Sequence, residues 1–361
     1  MLNHQRKFAI VLLVFFSLAT PLSIEIIRAQ TVSVSTIPSG YFTLTIQAGF
    51  GTSSSVSVLS FPLQGIASAS GQIAGVITGL TANTFTNSNA GWTASQLSTP
   101  TTPYLLQITS GAAAGRTFLL STSTANTATT VTLDPLDATQ TNLTTLGIVT
   151  GTDTYQIIPA DTISSIFGTP ATTGILGGTS PAGPNPPDRL QVLLSNGWNA
   201  FYYNTTNNQW TLTTPPFTSG NNIVIRPDTG VVYSRYGTTA INIVLAGQVP
   251  SVTRQTLVAN SGITALSNNW PIDQTLAATG IQNLSNWASG PSSSSDDLVQ
   301  LLTASGWNQY YYNGTHWIMV TPPFLNSDNV TVPAGTIVDI IKRGATLGNS
   351  VLTQVLPYSL N

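Results

Sequence analysis

From residue 40 onward, apolar and small polar residues alternate in short runs bounded by Gly and Ser, as at residues 41–46 and 55–59. This period of two predicts strands; a helical period of 3.6 is hard to find. The most strongly patterned stretch is Gly306-Trp307-Asn308-Gln309-Tyr310-Tyr311-Tyr312-Asn313-Gly314-Thr315-His316-Trp317, closed by Thr321-Pro322-Pro323-Phe324. Aromatic runs fit a pleated, half-buried surface, and Asn313-Gly314 between them predicts a β-hairpin with a two-residue type I′ turn. Alternation places Tyr310 and Tyr312 on one face and Tyr311 on the other. The Pro-Pro pair gives a ladder no N–H and so ends the returning strand.

The same pattern occurs earlier, as Gly197-Trp198-Asn199-Ala200-Phe201-Tyr202-Tyr203-Asn204, then Trp210, then Thr214-Pro215-Pro216-Phe217. The chain therefore reads as an internal duplication, with a longer turn in the first copy. Residues 42–63 resemble residues 254–272, but the stretch that continues directly from residue 272 in the second copy has its first-copy counterpart only at residue 161, which predicts an inserted segment. The expected organisation is a first β domain over residues 30–63 and 161–252, an insert over 64–160 and a second β domain over 253–361. The two related domains are expected to be sandwich-like. Within the insert, strands are expected at residues 72–80, 104–109, 116–121, 130–133 and 154–159, a number that fits a small barrel-like fold. Short helices are expected at residues 163–167, 190–194 and 298–302, the last two capped by Asp188 and Asp297.

Residues 1–29 carry a basic start (Arg6, Lys7), an apolar run over 8–18 and a small residue, Ala29, at a cleavage point, the order of a secretory signal peptide. The run is shorter than the ~20 residues of a spanning helix, and no later stretch is long and apolar enough to span a membrane. Beyond residue 29 the formal charge is −4, with no Glu, one Lys (Lys342) and one His (His316). Such a surface is wetted by Ser, Thr, Asn and Gln, and offers no electrostatic footprint for nucleic acid. Cysteine is absent, so the fold must stand on its core rather than on disulfides.

A signal peptide, Gly40-Tyr41-Phe42-Thr43-Leu44, the block from Ile108 to Gly115, the strand Thr154-Tyr155-Gln156-Ile157-Ile158-Pro159 and the later Tyr-Tyr…Trp hairpin together resemble an uncharacterised family of secreted proteins from Verrucomicrobia and related bacteria. The resemblance spans nearly the whole chain after residue 29. It implies secretion and β architecture, and it carries no functional residue over to this sequence.

Candidate chemistry is sparse. A Ser/His/Asp centre would rest on His316, in the hairpin turn, where a solvent-facing turn residue is expected. A glycosidase needs two carboxyl groups flanking one bond. Here Asp134, Asp137, Asp228 and Asp328 fall mostly in turns, whose closure is Asp's ordinary role. Asp296-Asp297 reads as the end of a linker before a helix cap, and no loop has the spaced acids of a calcium site at Asp228, Asp296 or Asp297. Residues 111–117 miss the phosphate-binding-loop spacing and read as a hairpin turn. No catalytic residue, cofactor or metal ligand is expected. The expected function is that of a secreted, non-enzymatic structural or adhesive protein of the cell surface or matrix, with self-association or a polysaccharide as partner. The alternative is a carbohydrate-binding module that stacks sugars on Trp198, Tyr202, Trp210, Trp307, Tyr311 and Trp317. The hairpin core competes for the same rings.

Overall fold

The computed structural model describes residues 38–65, 73–194, 197–303, 306–344 and 348–359; the expected signal segment lies outside the described residues. In chain order the strands are β1 (Ser39–Ile46), β2 (Ser55–Leu59), β3 (Gln64–Gly65), β4 (Ile73–Val76), β5 (Gly79–Leu80), β6 (Thr84–Thr86), β7 (Tyr104–Ile108), β8 (Thr117–Leu119), β9 (Thr130–Thr132) and β10 (Thr154–Pro159). They continue with β11 (Arg189–Leu194), β12 (Gly197–Asn204), β13 (Gln209–Leu212), β14 (Val231–Arg235), β15 (Ile241–Gln248), β16 (Arg254–Ala259), β17 (Gly262–Ser267) and β18 (Gln274–Thr275). The last are β19 (Leu298–Thr303), β20 (Gly306–Tyr312), β21 (Trp317–Met319), β22 (Thr331–Val332), β23 (Ile337–Lys342) and β24 (Asn349–Gln354). Helices are short: α1 (Pro135–Gln140), α2 (Ile163–Phe167) and α3 (Pro170–Thr173). The protein is mainly β, as the alternating pattern predicts.

Two five-stranded antiparallel sheets share one strand order. The first runs β13-β12-β11-β14-β2 and the second β21-β20-β19-β23-β17. Each buries one face against a smaller sheet, giving two sandwich-like cores. The first core gathers Leu190, Val192, Phe201 and Tyr203 of the large sheet with Leu44, Ile46, Ile241 and Ile243 of the β1-β15-β3 sheet. Helix α2 seals it with Ile163, Ile166 and Phe167, and Thr162 forms the capping box that starts this helix. The second core gathers Val299, Tyr310, Val338 and Ile340 with Val258 and Leu352 of the β16-β24 ribbon. A small cluster of Val58, Ala265 and Ile337, flanked by Val232 and Leu302, joins the two large sheets through their other faces.

The expected helices at 190–194 and 298–302 are strands, β11 and β19, in the middle of these sheets. A five-residue run with four apolar residues around one glutamine is compatible with either state, and here burial on both sides of the sheet decides for strand. Leu190 and Val192 point into one core while Leu193 lines the other face.

Residues 73–159 build a third core of their own, around Ile77, Phe85, Leu106, Phe118, Tyr155 and Ile157. It is not a closed barrel. Its strands form two open sheets, β4-β10-β7-β8 and β5-β6-β9, linked by a bridge between Leu120 and Leu133. The single strand expected over 72–80 breaks at Ile77, whose N–H turns to Asp153, so β4 pairs with β10 while β5 pairs with β6. The 111–117 segment is the hairpin connection of β7 and β8. At its end Gly115 has φ +90°, and a Cβ there would collide with the Thr253 carbonyl, so glycine lets this turn lie against the start of β16. Gln255 fixes the contact by donating to Ala112 O at 2.9 Å.

Candidate functional site

The two hairpins place their rings by strand parity. Tyr203 lies opposite Trp210 and Tyr312 opposite Trp317, so each pair shares the inner face. Trp198 and Trp307, five residues before those tyrosines, must face outward. Trp210 and Trp317 are accordingly 0% exposed. Trp210 packs edge-on against Phe167 and Tyr203 and donates from Nε1 to Gly168 O at 3.0 Å. Trp317 packs against Trp287 and Tyr312, and its Nε1 has no partner among the described residues. Tyr202 is buried too, its phenolic oxygen accepting from Asn204 Nδ2 at 3.1 Å. Tyr311 is half-buried beside Leu298 and Ile318, while Trp198 and Trp307 are 45% and 42% exposed. The six rings therefore do not form one sugar-stacking platform; three are core.

Two details of the hairpins differ from expectation. Asn313-Gly314 is not a two-residue turn but part of a four-residue loop, 313–316, in which Asn313 Oδ1 accepts from the N–H of Thr315 and of His316. Gly314 supplies the positive φ of that loop, 100°. The Pro-Pro-Phe segments do not cover the tryptophans: Phe217 and Phe324 stand 50% and 57% exposed, and α2 and Trp287 do the covering.

Asp188 and Asp297 cap no helix. Each lies just before the central strand of its large sheet, nearly inaccessible to solvent, and pairs with a buried cation, Arg235 and Lys342 respectively. Asp188 also accepts from Leu176 N at 2.8 Å, Tyr233 Oη at 2.9 Å and Tyr236 N at 2.7 Å. Asp297 accepts from Ala288 N at 2.7 Å and Arg343 N at 2.8 Å. Lys342 donates in addition to Asn286 O and lies 5.0 Å from the Trp287 ring centroid. A buried charge is tolerated only when its partners are this complete.

His316 is half-exposed, with Nδ1 2.7 Å from Asp328 Oδ2. Partial desolvation pushes the Asp328 carboxyl up, but hydrogen bonds from Trp317 N and His316 outweigh it and hold the group below its ordinary value. In the first region Asn221 gives Trp210 N the same acceptor at 2.9 Å, so the hairpin needs the oxygen and not the charge. His316 thus serves the loop.

A cleft of about 730 Å³ opens where the three cores meet. Its first wall comes from residues 100–141 and includes Arg116, Asp134, Leu136 and Asp137; its second from 193–229, with Asn222, Arg226 and Asp228; its third from β16 and β17, with Gln255, Leu257 and Ile263. Arg226 crosses from the second wall to the first. Its Nη1 donates to both oxygens of Asp137, at 2.8 and 2.9 Å, its Nη2 to Thr117 O at 3.0 Å, and its Nε meets Asp228 at 3.4 Å. Burial pulls the Arg226 guanidinium down in pKa, but the fields of Asp228 and Asp137 outweigh it and raise it. Arg116, lowered mainly by burial, donates to Thr141 Oγ1 at 3.1 Å and lies 5.3 Å from the Phe118 ring centroid. Asp134 caps α1 through Leu136 N at 3.0 Å. Three aspartates that read as separate turn residues thus converge on one cleft.

Comparison with family models, with curated proteins and with solved structures gives no match. Among the described residues no three His, Cys, Asp or Glu side chains are grouped to hold a metal ion. Sequence reasoning missed the cleft because its walls come from separate stretches of the chain, with Asp137 and Arg226 lying 89 residues apart. It also missed the buried ion pairs, although one signal was there: an aspartate just before each of the runs at 189–194 and 298–303, each with a basic residue closing a later strand.

Proposed function

We propose that the chain is a secreted, non-catalytic structural or adhesive protein of the cell surface or matrix that associates with further copies of itself. The observation that carries this is the β1-β15 ribbon. Among the described residues β1 is an eight-residue edge strand with one hydrogen-bonded neighbour, β15, and Tyr41 of β1 and Val244 of β15 stand 84% and 63% exposed on the ribbon's outer face. An edge of that length with apolar side chains is a template for another chain unless it is blocked by charge or proline, and β1 has neither. The apolar secretory-type start, the ion-poor surface and the resemblance to a secreted family support the extracellular setting. The second reading, a carbohydrate module on the hairpins, keeps Trp198 and Trp307 with Tyr311 beside them.

Light scattering and negative-stain microscopy of the exported protein test the first reading. Ordered species should grow with concentration, and Tyr41→Lys with Val244→Lys should disperse them without loss of fold. A parent protein that stays monomeric at every concentration would refute self-association.

A further inference from the structure

The cleft between the three cores is spent neither on the fold's hydrophobic cores nor on the edge ribbon, and no residue of β1 or β15 lines it. We infer that it binds a neutral, polyhydroxylated chain: an oligosaccharide of uncharged sugars. The inference is independent of self-association.

Three features select that chemistry. The size, about 730 Å³, falls within the roughly 300–1,000 Å³ typical of small-molecule sites. Arg226 is held by Asp137 and Asp228, Arg116 donates to Thr141 within the field of the same two carboxylates, and Asp134 is spent on the cap of α1. An anion would have to break the Arg226 pairing to reach a cation there, whereas a hydroxyl can accept from or donate to the rim. That rim carries the exposed amides of Gln140, Asn222 and Asn349, which meet no side-chain partner among the described residues. Each amide offers donors and an acceptor together, the complement of adjacent sugar hydroxyls. Leu136 and Ile263, 48% and 60% exposed beside them, give apolar surface for the C–H faces of a sugar ring.

An extended peptide fits less well. Of the edge strands bordering the cleft, β8, β16 and β17, β8 has its outward backbone already engaged: Asp137 accepts from Leu119 N, and Arg226 donates to Thr117 O. A peptide strand could not add there without undoing both contacts. Carboxylates tied to an arginine and to a helix cap also make this a binding site rather than an acid–base pair.

Isothermal titration of the parent protein against hexasaccharides of β-linked glucose, xylose, mannose and N-acetylglucosamine and of α-linked glucose tests the assignment. At least one should bind. Ile263→Trp, which fills the mouth of the cleft, and the double variant Gln140→Ala/Asn222→Ala should each weaken that binding by about tenfold or more, with unchanged thermal midpoints. The inference is overturned if none of the five binds, or if a neutral decapeptide binds in their place. It is also overturned if binding survives both cleft variants and is lost in Trp198→Ala/Trp307→Ala, which would move the sugar site to the hairpins.

Discussion

The two matching regions use one strand order to solve the same problem with different side chains, and where they differ shows what the backbone arrangement demands. Both place an aspartate before the central strand and a cation at the end of its neighbour, yet one cation is Arg235 and the other Lys342. Both seat a tryptophan at the centre of the core, yet Trp210 has a hydrogen-bond partner and Trp317 has none among the described residues. Position 232, a valine in the first region, is Asp339 in the second, each beside the middle strand opposite Gln191 or Gln300. The arrangement thus requires a neutralised acid and a large ring, and is indifferent to how each is completed.

The largest effects should come from breaking the buried pairs. Asp188→Ala and Asp297→Ala each leave a cation in the core without its anion, and each should cost about 3–5 kcal/mol. Asp188→Ala should be the worse, because Tyr233 and three backbone N–H groups lose their acceptor as well. Urea denaturation measures both; a cost below about 1 kcal/mol at either site would show that the pair is relieved by water.

Removing the rings should come next. Trp210→Ala and Trp317→Ala should cost about 3–5 kcal/mol each. The sharper comparison is with phenylalanine: Trp210→Phe leaves Gly168 O without its donor, so it should cost about 1 kcal/mol more than Trp317→Phe, which strands nothing. Equal midpoints for the two phenylalanine variants would remove that hydrogen bond from the account.

The smallest effect concerns Asp339. Burial pushes its carboxyl up from 3.8 to about 6, so the folded state favours the protonated form. The linked stability is fully present below about pH 4 and is lost as pH rises through 6. Asp339→Asn should therefore stabilise the protein at pH 7.5 by about 1–2 kcal/mol, allowing for its partial exposure, and hardly at all at pH 4. Asp161, pushed to about 6 by burial as well, keeps part of the pH slope in that variant. Equal effects at the two pH values would mean that Asp339 is charged throughout.

Sequence alone determined the β class and the two aromatic hairpins, because alternation and aromatic runs are local signals that survive without a partner. The register that sets Tyr203 opposite Trp210, and so puts the two tryptophans of a hairpin on opposite faces, came from the structure, whereas the sequence grouped Trp198 and Trp210 in one candidate set. Only the tertiary structure decided that the apolar runs at 190–194 and 298–302 are central strands, since a short run adopts whatever state the surface burying it requires. The same holds for Asp188 and Asp297, whose partners lie 47 and 45 residues away and become partners only when the sheet brings β14 and β23 beside β11 and β19. The cleft belongs wholly to this second class. Its walls are set by how three cores meet, and no local pattern records where Arg226, in one core, finds Asp137 in another.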